Sequence, residues 1–497
     1  MDEIGHNCGI SGVFNFDGNE ILEYLYWSLV ALNHRGHHSY GIVTCDDNFH
    51  VFKGLGLVSD LPIDKLSSTS DRLSGYVGIG HVRYATSGES QKQGLSLDIQ
   101  PVIVGDDPKV AIAYNGNITN VKFLRKHLVG LGYYFKGSSD AEVLALLLMH
   151  GLKVFGNVEN AVKNVMEMVD GAYSVVGLLS DGEIFFFRDP YGLRPLVYGF
   201  NDDGNLLMVA SESVALNING LRDFRMVKPG ELHIYSKGFN KSLKLVKGFG
   251  EHLCSFEFAY FARPDSKFDE KYVCEIRQEL GRKLAFRYRD VAAKIDGVIP
   301  VPQTALDAAY GFHEAAGKPI YQWIIRDRYV KQRAFILSPE DRSLILQRKY
   351  NILYDRLRGK KIGLIDDSIV RGDTLKRLVS TLREFGVSEV HVFITFPMII
   401  GPCFYGIDMA TFNELAAFNR GIEDICRFIG ANTINYQTIE DFVSAVSTSN
   451  LCLGCLTLNY PTPYGKKLAN LARELAIKGI KFDGRITETL DENNLFI

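Results

Sequence analysis

Residues 359–377, GKKIGLIDDSIVRGDTLKR, constrain this chain most. The apolar stretch 362–365 is short and bounded by Lys360 and Lys361 on one side and by Asp366 and Asp367 on the other. It reads as a buried strand ending at a surface edge. Residues 368–374 hold Gly372 and read as a tight turn. From Leu375 the pattern LKRLVSTLREFG is an amphipathic helix stopped at Gly386. Strand, acidic pair, glycine turn and helix start together make a phosphate-binding construction. Backbone N–H groups of the turn and of the helix N-terminus can face the anion. The two carboxylates can hold sugar hydroxyls or a hydrated Mg2+ beside it.

A chain of 497 residues is too long for one core, so two to three domains are expected. A net charge of -3 argues against a nucleic-acid surface. No apolar run reaches ~18 residues, so no membrane span is expected. The N-terminus MDEIGHNC lacks an apolar segment and does not read as a signal peptide. The expected location is the cytoplasm, with reduced thiols. The eight cysteines, Cys8, Cys45, Cys254, Cys274, Cys403, Cys426, Cys452 and Cys455, are then buried thiols, ligands or a nucleophile before they are disulfides.

The first half reads as runs of short strands (GISGVFNF, YVGIGHVRYAT, VAIAYNGNIT, GAYSVVGLLS, GEIFFFRDP, LLMVAS) with helices at 20–33, 119–130 and 141–151. Strands in runs predict an α+β sandwich with antiparallel sheets. The second half alternates: a helix at 275–289, strand–loop–helix in IDGVIPVPQTALDAAYGF, the 362–365 strand with its helix, then VSEVHVFITF. Alternation predicts a parallel sheet with helices on both faces, whose ligands bind beyond the carboxyl ends of the strands.

Two cysteine arrangements carry chemistry. Cys8 stands seven residues from the start. If those residues are removed, its own α-amine, of pKa about 7.7–8.0, becomes a general base for its thiol. Cys452 and Cys455 form a C-x-x-C that, with Cys254 and Cys403, makes a set of four thiols. Thiolate tetrads hold [4Fe–4S] clusters or zinc, and spacing does not choose between them.

These motifs carry a resemblance. DDSIVRG (366–372) is similar to the phosphoribosyl-pyrophosphate (PRPP) loop of type I phosphoribosyltransferases. Residues 8–245, with HRG, GHVRYATSG, AYNGNIT and SSDAE, resemble the glutaminase domain of N-terminal-nucleophile (Ntn) amidotransferases. The two together, over residues 8–464, resemble the glutamine PRPP amidotransferases, iron–sulfur branch. The resemblance implies an Ntn-hydrolase sandwich followed by a type I phosphoribosyltransferase domain. The expected boundaries are a propeptide at 1–7, a glutaminase domain at 8–250, a phosphoribosyltransferase domain at 251–475 and an extension at 476–497.

It also implies roles. Cys8 attacks glutamine, Asn115 and the Gly116 N–H form the oxyanion hole, and Arg83, Asp140 and Arg35 bind or shape the site for glutamine. Asp366, Asp367, Ser368, Arg371, Gly372 and Thr374 bind PRPP; Thr304, Asp366 and Asp367 hold Mg2+. Cys254, Cys403, Cys452 and Cys455 hold a [4Fe–4S] cluster. The basic stretch 324–336, IIRDRYVKQRAFI, is the loop that closes over PRPP, and RDPYGLRPL (188–196) and SES (211–213) are scaffold near the glutaminase site. The expected reaction makes 5-phosphoribosylamine, glutamate and pyrophosphate, the first step of purine synthesis. A homotetramer inhibited by purine nucleotides is expected too.

Several positions depart from the family pattern. HRGHHS puts His37 and His38 in the glutaminase loop. VPQTA puts Gln303, Thr304 and Ala305 where an acid, a hydroxyl and a glycine are usual. Asp373 stands beside the PRPP turn, where a carboxylate must point outward or weaken PRPP binding. CLGCLTLNYP lacks a glycine near Leu458. A second reading follows from these: a paralogue that keeps fold and cluster but acts as a regulatory or assembly subunit. A third, a glutaminase serving another acceptor, is disfavoured because no SGGxDS-type loop and no sugar-isomerase-like pattern is present.

Overall fold

The computed structural model describes residues 8–61, 73–84, 97–326, 350–448 and 450–480. The expected propeptide, most of the 324–336 loop and most of the C-terminal extension lie outside them.

The first unit is built on two antiparallel sheets. One has seven strands, with Gly9–Asn15 between Leu206–Ala210 and Val77–Arg83. The other has six, with Val110–Ile118 paired along its length to Gly171–Leu179. Ile10, Phe14, Val43, Ile79, Ala113 and Phe186 are among the side chains filling the space between the sheets. Leu22–Ala31 covers the outer face of the first sheet; Val121–Gly130, Asp140–Phe155 and Val158–Met168 cover the second. Both sheets are therefore buried on two faces, which is why their strands read as continuous apolar runs rather than strict alternation. The Val158–Met168 helix escapes a run-based reading because its sequence, VENAVKNVMEM, buries only Val158, Ala161, Val162, Val165 and Met166.

The second unit carries a four-stranded parallel sheet in the order Gly297–Pro300, Lys361–Asp366, Glu389–Ile394, Thr433–Tyr436. Val273–Arg287 and Leu306–Ala316 pack on one face, Asp373–Glu384 and Ile422–Ile429 on the other. The first two helices touch backbone to backbone. A Cβ at Gly281 would overlap the Ala308 carbonyl, and one at Gly311 the Gln278 carbonyl. The helix after the glycine turn starts at Asp373, two residues before the apolar pattern begins. In the segment 318–326, Ile320 bridges in parallel to Val298 at the edge of the sheet, and Ile324–Arg326 forms a short strand. The last described helix, Pro463–Ile477, runs across the expected boundary at 475.

The units share a core. Phe256, Phe396, Phe404 and Tyr460 sit in one apolar cluster with Leu25, Leu29 and Met208. Asp170 of the first unit accepts from Thr462 Oγ1 (2.6 Å) and the Tyr464 N–H (3.0 Å). No helix among the described residues is long and apolar enough to cross a membrane.

Candidate active sites and the cysteine cavity

Cys8 immediately precedes the central strand Gly9–Asn15, which fixes its direction. Its Sγ lies 3.8 Å from the Tyr84 carbonyl, at the end of the neighbouring Val77–Arg83 strand. Burial pushes the thiol above its ordinary range; the bond to Tyr84 and the Arg83 guanidinium oppose the rise, and the Asp140 carboxylate adds to it. Arg83 and Asp140, 57 positions apart by number in the chain, are thus both within electrostatic reach of Cys8.

Arg83 NH2 lies 3.3 Å from Asp98 Oδ2, and Asp98 also accepts from the N–H groups of Ser138 and Ser139 at 3.1 Å each. Asp140 opens its helix and accepts from the Tyr114 hydroxyl (2.8 Å) and the Ile118 N–H (3.1 Å). Asn115 is buried in the middle of its strand. Its Nδ2 is 3.5 Å from Ser211 Oγ, a weak contact, and its Oδ1 has no hydrogen-bond partner among the described residues. Gly116 admits no side chain, since a Cβ there would overlap the Ala172 carbonyl. An under-bonded amide beside a bare backbone position, on the strand facing Cys8, suits a developing oxyanion.

Arg35 is joined to the nucleophile's backbone: its Nε donates to the Cys8 carbonyl (3.2 Å) and its two terminal nitrogens bind Glu257 (2.9 and 2.7 Å), one of them also binding Glu212. Glu212, in the SES run, is held well below the usual carboxylate range: burial opposes this, but His34 and Arg35 beside it and the Ser266 hydroxyl prevail. His38 lies against Tyr84, the rings tilted by 32° with centroids 4.5 Å apart, and burial followed by the Arg83 charge lowers its pKa. The departure at this position therefore places a neutral imidazole beside the thiol's neighbour.

At the second site Asp366 and Asp367 are 1% and 2% exposed, so the expected surface edge is in fact covered. The reason lies next door: the N–H groups of Thr395 and Phe396 continue the sheet onto the carbonyls of Asp366 and Asp367. Asp367 accepts from Thr304 Oγ1 (2.5 Å) and Ser368 Oγ (2.7 Å), and burial raises its pKa. Ile369 and Val370 are buried beneath the turn, and Gly372 takes φ +86. Only glycine does this without strain, which explains its place before the helix. Thr374 is buried in the first helical turn, whereas Asp373 is exposed, so its carboxylate does point outward. Arg371 is bound by Glu414, with Nε 3.1 Å from Oε2, and is therefore anchored to the neighbouring 412–414 turn rather than committed to PRPP alone. Ala305 has φ -81, an ordinary value, so the missing glycine there imposes no strain. Leu458 has φ +62, so the glycine missing from that stretch does leave its mark.

Cys254, Cys403, Cys452 and Cys455 line one small cavity of about 20 Å3, walled by Phe256, Met409 and Tyr460 among others. Cys254 and Cys452 face each other in a two-residue parallel ladder. Burial pushes the Cys254 thiol up to about 12, opposed by Arg194, and drives Cys452 and Cys455 up as well. The Tyr405 N–H donates to Cys403 Sγ at 3.3 Å. Among the described residues no group of three or more His, Cys, Asp or Glu is placed to hold a metal ion. The donor set itself, four thiols in a dry apolar shell with an amide donor on one sulfur, fits an iron–sulfur cluster.

Residues 89–217 match a glutamine amidotransferase domain family. The amidophosphoribosyltransferase of Methanocaldococcus jannaschii is 37% identical over 472 residues, covering 92% of this chain and 98% of the relative. That of Bacillus subtilis is 35% identical, covering 92% and 95%. This chain belongs to the amidophosphoribosyltransferases. Two solved structures agree along the same length. The B. subtilis glutamine PRPP amidotransferase complexed with ADP and GMP superposes with a TM-score of 0.81 at 35% identity, over 92% of this chain and 98% of that one. A structure described as the allosteric regulatory enzyme of purine biosynthesis gives 0.82 at 34%, over 92% and 97%. The amidophosphoribosyltransferase fold thus accounts for both units and for their order.

Arg194, Glu212, Glu257 and Asp170 were not singled out in the sequence. RDPYGLRPL and SES marked the first two only as scaffold; Glu257 and Asp170 carry no local signal, because their partners lie in distant segments.

Proposed function

We propose that this chain, as a glutamine-dependent amidophosphoribosyltransferase, forms 5-phosphoribosylamine with Cys8 as its glutaminase nucleophile and the 366–374 turn as its PRPP cradle. The observation that carries this reading is the family match along both units, which spans the Cys8 cluster and the buried acidic turn alike.

In the first half-reaction the Cys8 thiol attacks the side-chain amide carbon of glutamine. Its proton passes to the α-amine that removal of residues 1–7 would free. The Asn115 amide and the Gly116 N–H stabilise the oxyanion. Arg83 and Asp140, both within electrostatic reach of Cys8, take the α-carboxylate and α-ammonium of the substrate. Ammonia leaves, and water releases glutamate from the thioester.

In the second, ammonia attacks C1 of PRPP and pyrophosphate departs. Gly372, Thr374 and the helix start hold the 5-phosphate, Ser368 and Arg371 border it, and Asp366 and Asp367 take the ribose hydroxyls. Mg2+, when bound near Thr304, Asp366 and Asp367, would neutralise the leaving pyrophosphate. The oxygen donors of these residues suit such a hard cation. The [4Fe–4S] cluster, when bound by Cys254, Cys403, Cys452 and Cys455, would supply a structural cross-link between segments far apart in the chain. Purine-nucleotide inhibition and a tetrameric assembly belong to the same proposal, the former supported by the nucleotides bound to the B. subtilis relative.

Pyrophosphate release from PRPP, measured with glutamine and separately with ammonium, tests the proposal. Release with both is expected. Release with neither, from a processed and metal-replete chain, overturns it in favour of the regulatory paralogue.

A further inference from the structure

A buried chain of charges runs from the nucleophile into the second unit. Arg35 Nε donates to the Cys8 carbonyl at 3.2 Å. The Arg35 fork closes on both oxygens of Glu257, at 2.9 and 2.7 Å. Glu257 Oε1 also takes Arg194 NH1 at 3.4 Å, and Arg194 Nε donates to the Tyr405 carbonyl at 2.9 Å. Arg35 is 1% exposed, and Arg194 and Glu257 are 0%. A second link leaves the same segment: Asn117 Nδ2 donates to the Phe404 carbonyl at 2.9 Å. Asn117 is two residues from Asn115 on one strand, so the two side chains share a face. Phe404 and Tyr405 are therefore tied to the Cys8 and Asn115 segments by two separate links, one through three charged side chains and one through a single amide.

We infer that Glu257 and Arg194 are positioning residues for the glutaminase half-reaction, holding the Cys8 backbone at attack distance by tying Arg35 to the Phe404–Tyr405 backbone. The inference rests on the reading of Cys8 as nucleophile. A carboxylate and two guanidiniums sealed from water interact strongly and in fixed directions. Loss of the Glu257 charge leaves Arg35 with Glu212 as its one carboxylate partner among the described residues, on the terminal nitrogen that the two carboxylates share. Its guanidinium then turns toward Glu212 and releases or drags the Cys8 carbonyl. Glutamine binding does not pass through this chain, because Arg83 and Asp140 hold the substrate. Neither does PRPP binding, which belongs to the 366–374 turn. The expected signature is a fall in kcat with glutamine, with KM for glutamine and ammonium-dependent synthesis preserved.

The test uses the full processed protein and the variants Glu257→Gln, Arg194→Lys and Cys8→Ala. Glu257→Gln keeps the shape and removes the charge; Arg194→Lys keeps the charge and removes the fork. In both, kcat with glutamine should fall about tenfold or more, with ammonium-dependent activity within about twofold of the parent. Alkylation of Cys8 by a glutamine-mimicking diazoketone should slow in parallel. Unchanged kcat with glutamine in both variants overturns the inference. So does an equal fall of glutamine- and ammonium-dependent activity in both, since that is what loss of structure alone produces. Glutamine use that survives Cys8→Ala sinks the nucleophile reading itself, whereas abolition there alongside unaffected Glu257 and Arg194 variants sinks only the positioning role.

Discussion

Cys254 and Cys452 are register partners in a two-stranded parallel ladder, and the Ser255 hydroxyl donates to the Cys452 carbonyl at 2.9 Å beside them. The entry of the chain into its second unit is thereby pinned against a segment close to its end. Cys403 and Cys455 complete the wall of the same cavity.

Replacing Cys452 by serine removes one soft ligand from this wall. The variant should lose iron, acid-labile sulfide and visible absorbance, and should melt at a lower temperature than the parent. Metal analysis and a thermal scan of both proteins check this. Stoichiometric zinc and no colour in the parent would replace the cluster by a zinc site.

Cys8→Ala should reduce glutamine-dependent synthesis by at least roughly 10³-fold, because it removes the thiol that forms the thioester. Ammonium-dependent synthesis should persist, since the acidic turn is untouched. Parallel assays with the two nitrogen donors measure the ratio. Equal loss of both would contradict two separate sites.

His81 contributes to the acid limb of stability. Burial and then the Arg83 charge lower its pKa from 6.5 to about 3, although its ring nitrogen bonds the Tyr114 carbonyl at 3.2 Å. The folded chain keeps this imidazole neutral while the unfolded chain protonates it below 6.5. Its contribution is therefore complete above pH 6.5 and is lost as pH falls from 6.5 toward 3, at up to about 1.4 kcal/mol per pH unit. Denaturant unfolding between pH 7 and 4 should show this slope. His81→Gln, whose side chain does not titrate, should flatten it.

Leu458 ends a helical turn at φ +62, and its side chain packs against Gly401. The left-handed conformation costs a non-glycine residue roughly 1–2 kcal/mol. Leu458→Gly should recover part of that while giving up the contact with Gly401, for a net change within about 1 kcal/mol of zero. Leu458→Ala keeps the strain and loses the contact, so it should be the less stable of the two. Paired unfolding midpoints decide the order.

The fold was legible where periodicity is local. The 362–365 strand, its acidic end, the glycine turn and the amphipathic helix are all adjacent in sequence, and all formed where their pattern placed them. The two sheets of the first unit announced themselves through β-branched runs. What escaped was set by distance. Arg35 reads as a substrate ligand because HRG says nothing of Glu257, which lies 222 residues away yet takes both arms of its fork. The burial of Asp366 and Asp367 follows from residues 395–396 extending the sheet, a tertiary event invisible in DDS itself. Arg371 likewise meets Glu414, 43 residues away, a partner its own segment does not show. Positions such as Ala305 and Leu458 show that a missing glycine matters only where the backbone turns left-handed, and φ is not written in composition.

The glycine contact between Val273–Arg287 and Leu306–Ala316 has a structural consequence. At Gly281 and Gly311 the two backbones meet directly, and Leu284, Ala308 and Phe312 pack beside them, so the helices form one tightly packed pair. One end of the pair carries Ala305 and Thr304, which grips Asp367 in the acceptor turn. From its flank Arg277 holds the carbonyls of Phe258 and Ala262, at 2.9 Å each, on the turn that carries Glu257. The same helix pair thus touches both the turn that carries Asp367 and the turn that carries Glu257.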